Sequence, residues 1–240
     1  MLRPETDKIW NFLKAQPALD GFVLAGGSAL AMTIRHRLSE DLDFLYPENR
    51  LPRQRLDVLR RAAGESGFDF QPNDDEAAVM EFLHDGLDLH NYQQDFLVNE
   101  AVKVSFFAPD GPMQSIFSSR SGKVRVASLG EIFKAKSLVS AARSKTRDWI
   151  DLYLLMRDHG FSIQDYKSAF SEAGVPAQCD IGLARLCSGS PQRDDEGFSH
   201  LLAKPPSLDE IRNFFIEQRN RLEIESAASA KEKKQSREVK

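Results

Sequence analysis

The sequence predicts an α+β protein: a mixed sheet with flanking helices in residues 1–127, then a helical region over 128–225. Three observations lead there. The runs "GFVLAGG" and "EDLDFLYP" have strand character and bracket one helix-like run, "SALAMTIRHRL". "LDLHNYQQDFLV" and "AVKVSFFAP" are β-rich and separated by the polar Asn99-Glu100, as in a hairpin. From Ser128 onward, "SLGEIFKAKSLVSAAR", "TRDWIDLYLLMRDH", "SIQDYKSAFSEAG" and "SLDEIRNFFIEQRNRLE" carry apolar residues at helical spacing.

Taken in order, Glu5 to Gln16 spaces Ile9, Trp10, Phe12 and Leu13 as one helix face, starting at Pro4 or Thr6. Ser28 is placed to cap the next helix, and His36 and Arg37 to close it, where cations suit the dipole. Alternation in "EDLDFLYP" sends Asp41 and Asp43 to one face, Leu42 and Phe44 to the other. "RQRLDVLRRAAGES" reads as a helix, and Phe68–Phe70 and Ala78–Leu83 as strands. The junction between the halves is expected near Gly122–Ser128. The tail, 226–240, ends in "KEKKQSREVK", which has no apolar residue apart from Val239, and is expected as a frayed helix end or disorder.

A chain of 240 residues, 41% hydrophobic and 28% charged, has material for a real core and is not fibrous. Its formal charge of −4 excludes a protein that coats nucleic acid over its whole surface, though not a local basic cleft. Cys179 and Cys187 lack CxxC spacing and neighbouring histidines, so two reduced thiols are expected. The N-terminus is mixed in charge and no run approaches the length of a membrane span, which places the protein in the cytoplasm with no membrane partner.

The chemistry concentrates between Ala25 and Phe44. A glycine-serine turn, Gly26-Gly27-Ser28, opening a helix offers free backbone N–H groups and a hydroxyl to a phosphate. Asp41 and Asp43, side by side on the following strand, suit Mg²⁺. Together they fit a nucleoside triphosphate (NTP) and its metal. Each piece alone also has an ordinary reading: a helix cap, an exposed strand face, a solvated basic stripe for Lys136 and Arg143, local pairing for Asp148 and Asp151.

Gly27-Ser28 followed after twelve residues by Asp41-Leu42-Asp43 resembles the signature of the DNA polymerase β-type nucleotidyltransferase superfamily. More narrowly, "GGSALAMTIRHRLSEDLDF" resembles the AbiEii/AbiGii toxin family, with His36, Arg37, Ser39, Asp41, Asp43 and Phe44 in matching order. The resemblance continues in Lys136, Arg143 and "KTRDWIDLY", with Lys145, Arg147, Asp148 and Asp151. It implies a Mg-dependent nucleotidyltransferase, using one or two ions, that transfers a nucleoside monophosphate from an NTP to an acceptor hydroxyl. RNA, tRNA included, is an implied acceptor, and a cognate antitoxin protein an implied partner of a toxin-antitoxin or abortive-infection pair.

On that resemblance Gly26, Gly27, Ser28, Arg37, Lys136 and Arg143 are assigned to the nucleotide phosphates. Asp41 and Asp43 become metal ligands, and Asp41, Asp43, Lys136 and Asp148 the catalytic set. One departure stands out: Ser105 occupies the place where such enzymes carry a third carboxylate, with Asp88, Asp95 and Asp148 as replacements. It leaves two rivals, an inactive nucleotide- or protein-binding module and a kinase-like phosphotransferase. The latter is weakened by the absence of an HRDxxxxN loop. Arg53, Arg55, Arg60 and Arg61 are available to nucleic acid, or belong to an ordinary amphipathic helix.

Overall fold

A computed structural model describes residues 1–109, 111–117 and 122–238. Six strands are β1 (Val23–Ala25), β2 (Leu42–Leu45), β3 (Phe70–Pro72), β4 (Gln93–Val98), β5 (Val102–Phe107) and β6 (Arg125–Val126). They form one mixed sheet in the order β3-β4-β5-β2-β1-β6. β2 is antiparallel to β1 but parallel to β5, and β4 and β5 make the expected hairpin, turned by Asn99 and Glu100 at positive φ. The chain divides into two compact units, Met1–Ile132 and Phe133 onward. That division falls within helix α6 (Leu129–Ala142), past the junction expected near Gly122–Ser128.

In the first unit, α1 (Pro4–Leu13) and α3 (Arg53–Glu65) pack on the face of the sheet that holds Phe44, Phe96 and Phe106. Trp10 stacks on Phe44 at 6.2 Å, Phe44 on Phe106 at 5.3 Å, and the Arg60 guanidinium lies over Phe96. Each such ring contributes roughly 1.5–3 kcal/mol through burial. The opposite face carries a row set by register: Ala25 pairs with Asp43, Asp43 with Ser105, and Ser105 with Asp95. Paired residues point the same way, so these four share one face.

One expectation is corrected. Ala78–Leu83 is not a strand but lies in α4 (Glu76–His84). Asp75 caps that helix by accepting from the Ala77 and Ala78 amides, and Ala, Met, Glu and Leu prefer a helix to a strand. α10 runs Leu208–Glu238, and residues 239–240 of the expected tail lie outside those described.

The second unit holds the rest of α6, then α7 (Thr146–Asp158), α8 (Ile163–Glu172), α9 (Gln178–Ser188) and α10. Every residue of α7 from Asp148 to Met156 is buried, as befits a central helix. Cys179 and Cys187 on α9 are buried free thiols, and burial pushes Cys179 up to about 11. The start of α7 is capped from a distant loop. Asp195 accepts from the Thr146 amide (2.9 Å), the Thr146 hydroxyl (2.7 Å) and the Gly197 amide (3.1 Å). Asp195→Ala is expected to lower stability by about 1–2 kcal/mol, as loss of a good helix cap does; denaturant unfolding measures it.

Candidate active site

The site in the first unit starts where β1 ends. Helix α2 (Gly26–Ile34) follows Ala25 directly, and among the described residues its N-cap position makes no side-chain cap hydrogen bond. Gly26 sits at φ +64°, and a Cβ there would lie 2.3 Å from Asp43 Oδ2. The carboxylate of β2 therefore rests against the first residue of α2, a contact that any larger residue would block. At Gly27 the close neighbour is the tip of a longer side chain: a Cβ there would lie 2.3 Å from Arg37 Nη2, so the guanidinium packs directly on that residue. Arg37 is buried and lies beyond the helix, because Arg35 turns left-handed (φ 53°) and ends α2 at Ile34. It does not close the helix as expected; its guanidinium reaches back over the opening turn and donates to the Leu38 carbonyl (3.0 Å).

Ser28 is the third residue of the helix, not its cap. Its hydroxyl, expected to face a phosphate, donates to the Asp41 carbonyl and accepts from Ser39 Oγ at 2.8 Å. The side chain thus ties α2 to the approach of β2 and leaves its backbone N–H as the group available to an anion. Thr6 adds a second tie, its hydroxyl donating to the Glu40 carbonyl at 2.9 Å. Asp41, just before β2, and Asp43 within it are half-buried, while Leu42 and Phe44 between and after them are fully buried.

Ser105 stands directly across β2–β5 from Asp43, where the resemblance leads one to look for a carboxylate. Asp95 lies one strand further, roughly 10 Å from Asp43 by strand spacing. It is buried; Oδ2 accepts from Gln93 Nε2 (2.8 Å) with Lys103 at 3.5 Å, and Oδ1 has no partner among the described residues. Asp88 is occupied elsewhere: it accepts from the His90 amide at 3.0 Å and pairs with Arg53 at 2.5 Å. The His90 amide, then Arg53, hold its carboxyl below the usual range. Among the described residues no group of three or more His, Cys, Asp or Glu is poised to hold a metal. Any ion at Asp41 and Asp43 would draw its other ligands from the substrate and water, as Mg²⁺ commonly does.

In the second unit, Lys136 is no member of a solvated stripe. Its ammonium lies 2.7 Å from Asp148 Oδ1 and 2.8 Å from Asp151 Oδ2, all three residues buried. Arg143 Nε adds a contact to Asp148 Oδ2 at 2.8 Å from a half-exposed side chain. Burial pushes the Asp148 carboxyl up, but Lys136 and then Arg143 outweigh it and hold it below its ordinary value. Asp148 and Asp151, one turn apart on α7, both aim at the one lysine. Sequence reasoning missed this burial, although the near-continuous apolar run from Trp149 to Met156 marks α7 as a central helix.

A helix opened by two glycines, set against paired acidic residues on a mixed sheet, is a nucleotidyltransferase-like framework. The family model described as "Nucleotidyl transferase AbiEii toxin, Type IV TA system" matches residues 11–234, and the chain belongs to that family. An uncharacterized protein of Aquifex aeolicus (strain VF5) is 27% identical over 146 residues, 60% of this chain and 62% of that one, so the match spans under two thirds of that relative. MenT4, the nucleotidyltransferase toxin Rv2826c of Mycobacterium tuberculosis H37Rv, superposes with a TM-score of 0.51 at 15% identity, covering 87% of this chain and 81% of its own, a likeness of fold. JHP933 from Helicobacter pylori gives 0.49 at 18% identity, over 97% and 100%.

Two outcomes follow from the geometry. Lys136→Ala is expected to destabilise the protein by about 3–5 kcal/mol, because it strands two buried carboxylates; thermal melting reads this directly. Asp148, with a folded pKa below its unfolded one, contributes stability fully above the ordinary carboxylate value and loses it as pH falls through the depressed one. Denaturant melts should therefore weaken below about pH 4, and weaken less in Lys136→Met, which removes the principal cause of the depression.

Proposed function

We propose that this chain is a Mg-dependent nucleotidyltransferase that moves a nucleoside monophosphate from an NTP to an acceptor hydroxyl, releasing pyrophosphate. Its proposed setting is that of a toxin paired with a cognate antitoxin, with RNA, tRNA included, as the acceptor. The single observation that carries the reading is the contact between Asp43 Oδ2 and the Cβ-less Gly26. It sets the candidate metal ligand at the helix terminus best suited to a phosphate, so one triphosphate would meet both.

In this reading the uncapped amides of Gly26, Gly27 and Ser28 take phosphate oxygens, aided by the helix dipole. Arg37, packed on Gly27, adds positive charge at the same turn. Asp41 and Asp43 would hold Mg²⁺. The donor set fits a hard cation, and the missing Cβ at Gly26 is what lets the Asp43 carboxylate stand against the first turn of α2. When bound, the ion neutralises triphosphate charge and polarises the reacting phosphoryl group.

Lys136 and Arg143 are proposed to offset charge that develops on the phosphates, with Asp148 as the carboxylate that holds both cations in place. Asp148 is also the proposed replacement for the carboxylate missing at Ser105. The rival reading, a module that binds without chemistry, draws its support from Ser105 standing opposite Asp43. Among the described residues no helix is long and apolar enough to cross a membrane; a cytoplasmic location is part of the proposal.

The test is incubation of purified protein with Mg²⁺, total RNA and NTPs labelled at the α- or γ-phosphate. Label from the α-position on RNA is the expected result; γ-label on any acceptor would make the protein a kinase, and nucleotide binding without either transfer a binding module. Asp41→Asn and Asp43→Asn are each expected to abolish α-transfer with melting curves nearly unchanged, because Leu42 and Phe44 carry the strand's burial. Ser105→Asp should raise the transfer rate if the site works below its chemical capacity for want of a third carboxylate.

A further inference from the structure

The segment from residue 62 to 102 contains ten acidic residues and no Lys or Arg, so the rest of the chain carries a formal +6 against the overall −4. Six of those acids lie between Asp74 and Asp88, around α4. That helix buries none of its residues. Ala78, Val79 and Phe82 form its half-buried side, with Phe82 against the Tyr92 ring at 5.7 Å. The outer side presents Met80 (62% exposed), Leu83 (64%) and, just past the helix end, Leu87 (43%). Met80 and Leu83, one turn apart on α4, make a short apolar stripe, and Leu87 is exposed just beyond the turn that ends the helix.

Nothing about α4 is loosely built. Asp75 caps its first turn, accepting from the Ala77 amide at 2.8 Å. At the other end Gly86, at φ +72°, donates to the Leu83 carbonyl (3.1 Å), and Leu87 to the Phe82 carbonyl (2.8 Å), the paired bonds of a Schellman turn. A nine-residue helix is marginal in water by itself. Here both ends are fixed around a stripe that covers no core, and Leu87 is locked beside it by the same turn.

We propose that the α4 stripe is a docking surface for a basic amphipathic helix presented by another protein. Apolar side chains of that helix would cover Met80, Leu83 and Leu87, and its Lys or Arg residues would face Glu76, Glu81 and Asp85. Complementary charge selects this occupant, because nucleic acid and anionic lipid are repelled by a segment with ten acids and no Lys or Arg. The basic segment 231–240 of a second copy matches the charge but not the apolar stripe: "KEKKQSREVK" holds one apolar residue, Val239. This inference does not depend on the transfer reaction.

The test uses a synthetic helix with leucines along one face and Lys and Arg elsewhere, against a shuffled peptide of the same composition. Fluorescence anisotropy should show binding of the amphipathic peptide to the full chain, weakened by salt and weakened about tenfold or more by Leu83→Glu or Met80→Glu. The shuffled peptide should bind at least about tenfold more weakly. Both positions are exposed, so the variants are expected to melt like the parent chain and to keep its transfer activity. Equal affinity for the two peptides, or binding indifferent to Leu83→Glu, would overturn the proposal. So would a dimer in sedimentation velocity that Leu83→Glu dissociates, since the stripe would then belong to a second copy.

Discussion

The contact between the Asp43 carboxylate and Gly26 governs the first unit's site. Register in the sheet sets Asp43 opposite Ala25, the last residue before α2, so the side chain of β2 has to share space with the first turn of that helix. At 2.3 Å from an imagined Cβ, that space exists for glycine alone. The positive φ of Gly26 adds a second reason, since the chain must leave an extended strand and enter a helix within one residue. At Gly27 the Arg37 guanidinium packs in the same way, though there only a side-chain tip fills the space. Two adjacent glycines thus bring a carboxylate and an arginine to one uncapped helix terminus, while Ser28, Ser39 and Thr6 tie the flanking chain so that the approach is held.

The second unit is organised by a different constraint. A central helix with two aspartates on a buried face needs opposite charge at short range, because desolvating an ionised carboxylate costs several kcal/mol. Lys136 satisfies both carboxylates, and Arg143 approaches Asp148 from the solvent side. The four groups are formally neutral together, which allows the cluster to sit in the core. The same neutrality means that the ammonium is already engaged, so removing Lys136 leaves two buried carboxylates short of opposite charge. A stability role is therefore built into the residues proposed to act on phosphate, and activity changes in that cluster have to be read beside melting data.

Local periodicity carried much of the fold. The strand, helix and strand from Phe22 to Tyr46, the β4–β5 hairpin and the helical second half were legible because their apolar residues repeat every second or every third to fourth position. The acidic pair was legible for a similar reason: alternation separates Asp41 and Asp43 from the buried Leu42 and Phe44 within four residues. Ala78–Leu83 misled because its apolar run fits either period. The deciding signals, the Asp75 cap and the Gly86 turn, lie outside it.

What the sequence determined by itself was the strand, helix and strand from Phe22 to Tyr46, the β4–β5 hairpin and the helical character of the second half. Tertiary structure alone decided that Ser105 and Asp95 share the face of Asp43, because strand order and register are agreements between segments far apart in the chain. It also decided that the Ser28 hydroxyl turns inward and that Lys136 is enclosed, since burial depends on what packs over a residue rather than on its neighbours in sequence. The two glycines show the division most clearly. The sequence marks them as a turn, but only the folded chain shows that Asp43 and Arg37 occupy the volume two Cβ atoms would need.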